Sequence, residues 1–426
     1  MSQMKLKNEI FKLIGEYFQT YSAYKFDPKN PTVRLHEPTF NETEICAALD
    51  TLLETRITMG PKVLGFEDAY ADYVGASNCV MVNSGSSANL LAIAAITNPV
   101  FSGHLKPGDE VIVPALCWST SIWPLVQHGL VPVIVDIEPD TLNIDPKAIE
   151  AAISAKTKAI MPIHVYGNPC DMDSIGNLAK AHGLLVVEDT CESMGAKFRG
   201  QAVGTFGQIG TFSTYFSHHM TTLEGGLCTT NDHELAELMR ILRAHGWIRD
   251  MKNPEPLAKE YSEIDRKFLF VNQGYNLRAT EFAGAFGLEQ IKKLDQMIKV
   301  RQDNALYFQK ELGKYEDFFS FQVPMTEAES SWFGFPMVLK DNAPFDAPTL
   351  LTFLNKRGIE TRPIICGNIA NQPALELYPH RVAGGLEVAD QVMKNGFTFG
   401  NHQNIGSDER EFLVQSVRDF IRERVH

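Results

Sequence analysis

Long apolar runs are missing from this chain of 426 residues. No stretch of about 18 or more apolar residues occurs, so no membrane span is indicated. The first residues, 1–21, mix Lys, Glu and apolar side chains at helical spacing. They lack the apolar core and small-residue cleavage site of a secretory signal, so a cytoplasmic location is expected. Basic charge is short too: 39 Lys and Arg face 52 Asp and Glu, a net charge of −13. That excludes a broad surface for nucleic acid or anionic membrane. It leaves room for a local basic pocket that takes a phosphorylated small molecule. The seven cysteines stand far apart, at 46, 79, 117, 170, 191, 228 and 366, with no Cys-x-x-Cys pair. A reducing compartment, with no structural zinc or iron–sulfur centre and no metal site, is the simplest reading. Repeats, low-complexity tracts and long charge runs are absent as well.

What is present is an ordinary globular composition, 44% hydrophobic and 21% charged, long enough for two or three domains. Short, mostly β-branched runs at 79–82, 110–114, 132–136, 159–164 and 184–188 read as buried strands. Helical patterns at 87–96, 146–152 and 172–182 separate them. Strands separated by helices imply a doubly wound, mostly parallel α/β sheet. Ligands in such sheets sit at the carboxyl ends of the strands. A helical stretch at 280–312 carries Phe282, Phe286, Ile291, Leu294 and Ile298 on one side. It is expected to lead into a smaller C-terminal α+β domain that ends in a helix near 408–424. The expected division is an N-terminal helix and extended arm at 1–40, a large α/β domain at 41–273, and the linking helix with the small domain at 274–426.

Four segments carry chemistry. Asn83-Ser84-Gly85-Ser86-Ser87-Ala88-Asn89 follows a strand and opens a helix. Backbone N–H groups and small hydroxyls there make a phosphate cradle, or an ordinary N-cap. Val186-Val187-Glu188-Asp189 ends a buried strand in acid. A carboxylate there holds a pyridinium nitrogen protonated, or caps a helix. Trp118, after another strand at the same edge, stacks on a cofactor ring or belongs to a core or interface. The doublet His218-His219 lies between a Ser-Thr-rich strand and Glu224-Gly225-Gly226, whose glycines allow close backbone approach to a ligand. An imidazole moves protons near neutral pH but cannot form a Schiff base with an aldehyde, as lysine does. A metal site at the doublet is disfavoured, since adjacent residues on a strand face opposite sides.

Together these motifs resemble the DegT/DnrJ/EryC1/StrS sugar aminotransferases, pyridoxal-phosphate enzymes of fold type I. The resemblance runs from Gly60-Pro61 and Phe66-Glu67 through Ser84-Gly85-Ser86, Glu188-Asp189 and Glu224-Gly225-Gly226 to Gly274-Tyr275-Asn276-Leu277-Arg278. It implies that Asp189 pairs with the pyridine nitrogen and Trp118 stacks on the ring. Gly85, Ser86, Ser87 and Ser213 would hold the phosphate, with Asn276 reaching in from a second subunit of a homodimer. Glu192 would stand near the ring hydroxyl. Counted back from Glu224-Gly225-Gly226, the family's Schiff-base lysine falls on His218. A smaller branch of sugar 3-dehydratases is similar in carrying His there. One kind in that branch has a cysteine cluster after the Trp-Gly segment; residues 246–270 here hold no cysteine. The resemblance is therefore to the kind that works without a cluster.

That resemblance implies a resting enzyme with non-covalent pyridoxamine phosphate (PMP). A nucleotide-linked 4-keto-6-deoxyhexose would lose its C3 hydroxyl, with His218 as proton carrier. Ammonia and pyridoxal phosphate (PLP) would follow, and glutamate would restore PMP. An unperturbed imidazole pKa near 6.5 would suit His218 to both base and acid roles. Two alternatives are a 4-aminotransferase working through free PMP and a non-catalytic PMP-binding homologue. Arg249, Arg278 and Arg362 are candidate diphosphate contacts, and Tyr215 and His219 are candidate substrate contacts. The nucleotide and sugar configuration stay open.

Overall fold

A computed structural model describes residues 2–20, 26–37 and 39–425. Residues 21–25 and 38 of the expected N-terminal arm lie outside the described residues. The main sheet has eight strands. Across it they run Asn78–Val82, Gly226–Thr230, Ile209–Ser213, Leu185–Asp189, Thr157–Ile160, Glu110–Pro114, Val131–Val135 and Arg381–Val382. Gly226–Thr230 pairs antiparallel with both neighbours, and every other pairing is parallel. Helices cover the strands, so strand residues on both faces are buried. This is why the runs read as continuously apolar instead of alternating.

The expected strand at 159–164 ends early, at Ile160. Pro162 has no N–H to give to a ladder, and beyond it only a bridge from Ile163 to Asp189 remains. The helices Pro146–Ala152 and Met172–His182 match their patterns, each started by an aspartate, Asp145 or Asp171, that accepts from the first turn. The helical stretch at 280–312 breaks into Glu281–Gln290 and Leu294–Leu312 around a 3₁₀ turn at Ile291–Lys293. The first half packs on the helices Glu42–Leu53 and Pro61–Val74. The Glu281 carboxylate accepts from Lys62 N at 2.7 Å and Val63 N at 3.2 Å, which ties down the start of Pro61–Val74.

The smaller sheet is antiparallel, in the order Phe319–Phe321, Phe335–Leu339, Gly396–Phe399, Thr361–Arg362. Leu294–Leu312, Ala347–Lys356 and Ser407–Val425 close a second core around it, with Phe308, Phe335, Phe397 and Phe420 at its centre. Between these strands the chain returns to the main sheet, where Arg381–Val382 forms the last strand and Ile369 and Leu375 enter the main core. Among the described residues, no helix is long and apolar enough to cross a membrane.

Candidate active site

A cavity of about 460 Å³ opens at the carboxyl ends of the parallel strands. Its sheet-side wall is built by three strand ends. After Asn78–Val82, Ser84 caps the helix Gly85–Ile96, its Oγ accepting from Ser87 N at 3.0 Å. After Glu110–Pro114, Trp118 presents its ring to the cavity and is 57% exposed, which rules out a core role. After Leu185–Asp189, the Asp189 carboxylate faces in, nearly buried.

Three donors orient Asp189. Asn89 Nδ2 donates at 2.9 Å, Ser121 Oγ at 2.7 Å and Cys191 N at 3.1 Å. Asn89 is itself fixed, its Oδ1 accepting from Thr211 Oγ1 at 2.6 Å. A carboxylate has about four lone-pair sites, so capacity remains for a protonated ring nitrogen. Gly85 cannot be replaced without movement: a Cβ there would sit 2.5 Å from Ser213 Cβ. Ser213 thus lies directly against the helix start that carries Ser86. The glycines after Glu224 serve the protein's own packing. A Cβ at Gly226 would stand 2.2 Å from Ser84 O, and one at Gly225 2.3 Å from Thr214 Oγ1. The close approach expected toward a ligand is instead an approach of backbone and threonine side chains.

The opposite wall comes from the turn at 214–222 and the small domain. His218 and His219 sit in this turn, not on a strand, and still part company. His218 lines the cavity beside Phe333, ring centroids 5.1 Å apart. Among the described residues no group bonds its Nδ1. His219 is fully buried and points away, its Nε2 donating to Ser331 O at 3.1 Å. The ordinary imidazole expected at 218 is not what the structure holds. Burial first, then the Arg362 and Arg301 charges, draws the His218 pKa down to about 3. Glu192 shifts the other way. Burial pushes its carboxyl up to about 7, against the opposing pull of Arg362 and of the hydrogen bond from Tyr166 N at 3.3 Å.

The cavity therefore gathers Gly85, Ser86, Trp118, Asp189, Glu192, Ser213, Tyr215, His218 and Arg362 of the expected residues. Ser87 Oγ accepts from Ser84 Oγ at 2.9 Å and belongs to the cap. His219 is spent on Ser331. Arg249 lies over Trp247, 4.1 Å from the ring centroid, outside the cavity. Arg278 and Asn276 bond each other at 3.1 Å, also outside the cavity of their own chain. Asn89, Ser121, Ser217, Glu224 and Phe333 were not singled out by sequence. Asn89 stood in the quoted motif, one helical turn into its helix, and that position was the available signal. Phe333 arrives from the small domain, in the segment Ser331-Trp332-Phe333-Gly334-Phe335-Pro336, which resembles the dehydratase branch. Among the described residues, no lysine lines the cavity.

The chain is similar to known proteins along most of its length. The description "DegT/DnrJ/EryC1/StrS aminotransferase family" matches residues 38–418. A GDP-4-keto-6-deoxy-D-mannose 3-dehydratase of Yersinia pseudotuberculosis is 42% identical over 375 residues, 87% of this chain and 94% of that one. The Escherichia coli GDP-4-keto-6-deoxy-D-mannose 3-dehydratase, solved with hydrated PLP, superposes with a TM-score of 0.84 at 38% identity. It covers 90% of this chain and 99% of its own. A GDP-4-keto-6-deoxymannose 3-dehydratase with a trapped PLP–glutamate geminal diamine superposes equally well, TM-score 0.84 at 38% identity over 90% of this chain and 100% of that one.

Proposed function

We infer that this chain, which belongs to the DegT/DnrJ/EryC1/StrS aminotransferase family, is a PLP/PMP-dependent 3-dehydratase of a nucleotide-linked 4-keto-6-deoxyhexose in deoxysugar biosynthesis. The observation that carries this reading is an imidazole, His218, lining a cofactor-sized cavity that no lysine lines among the described residues. The residues present fit the cofactor. Asp189 is oriented by three donors with capacity to spare, Trp118 offers an exposed ring face, and the N-terminus of Gly85–Ile96 stands beside Ser86 and Ser213. When bound, the cofactor supplies an amine that condenses with a ketone and a ring that accepts electron density.

The protein's part is to hold and move protons. Asp189 would hold the ring nitrogen protonated. His218, kept neutral by burial, has a basic ring nitrogen free to take a proton, and its Nδ1 has no competing partner among the described residues. As an acid it serves only after taking that proton, because its own pKa leaves it unprotonated at neutral pH. Glu192 stands near half-protonation at pH 7 and would donate toward the ring hydroxyl. Trp118 would stack on the ring, and Gly85, Ser86 and Ser213 would hold the phosphate. Tyr215 faces the cavity as a sugar contact. Asn276, Arg278 and Arg249 lie outside the cavity of their own chain, and we assign them to the neighbouring site of a homodimer. Glutamate is the amino donor, and the enzyme works in the cytoplasm.

The test is turnover against a panel of 4-keto-6-deoxy sugar nucleotides with PLP and glutamate. Ammonia and a 3-deoxy-4-keto product are expected. A 4-amino sugar as the main product would make the protein an aminotransferase, and no cofactor absorbance would make it a non-catalytic homologue.

A further inference from the structure

A lysine at position 218 would be tied to the cofactor by a covalent bond. A histidine has no such tie, and His218 Nδ1 has no hydrogen-bond partner among the described residues. The place of the imidazole is therefore set by its turn and by packing. The turn is short: His218 N donates to Tyr215 O at 2.9 Å, closing Tyr215-Phe216-Ser217-His218. Tyr215 is exposed and the other three are half-buried.

Phe216, at the tip, meets a ring from the N-terminal arm. His36 stands edge-on to it, centroids 4.8 Å apart and planes at 77°. Phe216 lies edge-on to Tyr215 at 4.6 Å, and Tyr215 to His218 at 6.0 Å. Four rings thus run from position 36 to position 218, in the edge-to-face arrangement that aromatic pairs prefer. His36 also lines a narrow cleft that adjoins the main cavity and shares Ser217, Phe333 and Arg362 with it.

The arm on the near side of His36 is fastened to the small domain. Val33 is fully buried in the small-domain core. Its N donates to Gly358 O at 2.8 Å, and Glu360 N donates to its O at 2.9 Å. The Glu360 carboxylate accepts from Leu35 N at 3.0 Å, and Arg34 O accepts from His402 Nε2 at 3.2 Å. A Cβ at Gly400 would strike Arg34 O, so the arm lies flat where the strand Gly396–Phe399 ends. Three residues beyond His36, Thr39 O accepts from Gln290 Nε2 at 3.0 Å, and Gln290 Oε1 accepts from Thr221 N at 3.0 Å. The arm therefore holds the turn at 214–222 at two points, directly at Phe216 and through Gln290 at Thr221.

We propose that His36 is a positioning residue for His218: anchored on the small domain, it braces Phe216 and Tyr215 so that the imidazole stays turned into the cavity. A reacting group displaced by about 1 Å loses up to about a hundredfold in rate, so a brace outside the cavity has a direct effect on the chemistry. This rests on the reading of His218 as the proton carrier in the lysine's place.

The test reads the place of residue 218 without any sugar. His36→Ala and His36→Phe are made in the parent and in His218→Lys. In the lysine background with PLP, a long-wavelength Schiff-base absorbance reports that the side chain reaches the cofactor. His36→Ala is expected to slow its appearance about tenfold, and His36→Phe, which keeps a ring edge on Phe216, to recover most of the rate. In the parent background with glutamate alone, His36→Ala should lower the maximal rate of cofactor conversion by about the same factor. Cofactor affinity and the half-saturating glutamate concentration should stay as they are. A lower urea midpoint with unchanged rates would make His36 merely structural, and a raised half-saturating concentration with an unchanged maximal rate would make it a ligand contact. Either result overturns the proposal, as does a Schiff base that forms equally fast in His36→Ala. A His218→Lys protein that gives no Schiff base with His36 intact sinks the reading of His218, and the proposal with it. A normal Schiff base there, unaffected by His36→Ala, sinks the proposal alone.

Discussion

The two walls of the cavity are built on opposite principles. On the sheet side, polar groups are engaged before any ligand arrives: Asp189 takes three hydrogen bonds, and Ser84 caps the helix behind it. On the small-domain side, His218 Nδ1 and, in the adjoining cleft, Arg301 Nε are buried without partners among the described residues. Buried polar groups are usually paired, so a cluster of exceptions calls for a reason. A wall whose bonds are complete is a rigid seat for a group that stays. A wall with spare donors and a spare base suits molecules that come, react and leave. In the proposed reaction the first wall would take the cofactor, and the second the sugar and the amino donor.

The largest effect is expected on the reactive wall. His218→Asn should lower turnover about 10³-fold, within the usual range for a lost acid–base group, while cofactor binding by absorbance titration stays near that of the parent. Loss of the cofactor together with turnover would abolish the distinction between the walls. His218→Lys should instead create a long-wavelength Schiff-base absorbance; if none appears, His218 does not occupy the lysine's place. On the rigid wall the opposite pattern is expected. Asp189→Ala leaves Asn89 Nδ2 and Ser121 Oγ without their acceptor. It should cost about 1–3 kcal/mol of stability, read by urea unfolding, and weaken cofactor binding as well.

A pH series sharpens the contrast further. The His218 pKa is about 3 folded against 6.5 for the free side chain. The unfolded state therefore binds the proton first, and stability is lost as pH falls below about 6.5. At pH 5 this one group should remove about 2 kcal/mol relative to pH 8. Burial acts in the same direction on His219 and His402. The share belonging to His218 is the part of the slope that disappears in His218→Asn. The smallest effect is expected from Glu192→Gln. It should remove an inflection near pH 7 from the cofactor absorbance profile and change turnover only a few-fold; an inflection that persists would assign that titration to another group.

Much of the sheet was legible because a buried parallel strand is a short apolar run and an amphipathic helix has its own period. The helices Pro146–Ala152 and Met172–His182 needed nothing else, each announcing itself by Asp and by spacing. The strand after Thr157 was overextended because Met161-Pro162-Ile163 is apolar enough to pass, although proline ends the ladder. Trp118 and Asp189 were legible as strand-end residues. The place of Ser87 in the sequence suits a phosphate ligand and cannot show that its hydroxyl oxygen accepts from the Ser84 cap.

Sequence alone determined the order of strands and helices, the set of residues delivered to the strand ends, and the replacement of an amine by an imidazole at position 218. Those are matters of local pattern and covalent identity, and they persist in any surroundings. Tertiary structure decided which of two adjacent histidines reaches the cavity. It also brought Asn89 and Ser121 to Asp189 from 100 and 68 residues away, and left Arg301 and Arg362 without an ion pair among the described residues. It changed the imidazole from an ordinary titrating group into a neutral base. The reason is that desolvation, through-space charge and hydrogen-bond satisfaction depend on what surrounds a group in three dimensions, and residues distant in the chain supply those surroundings.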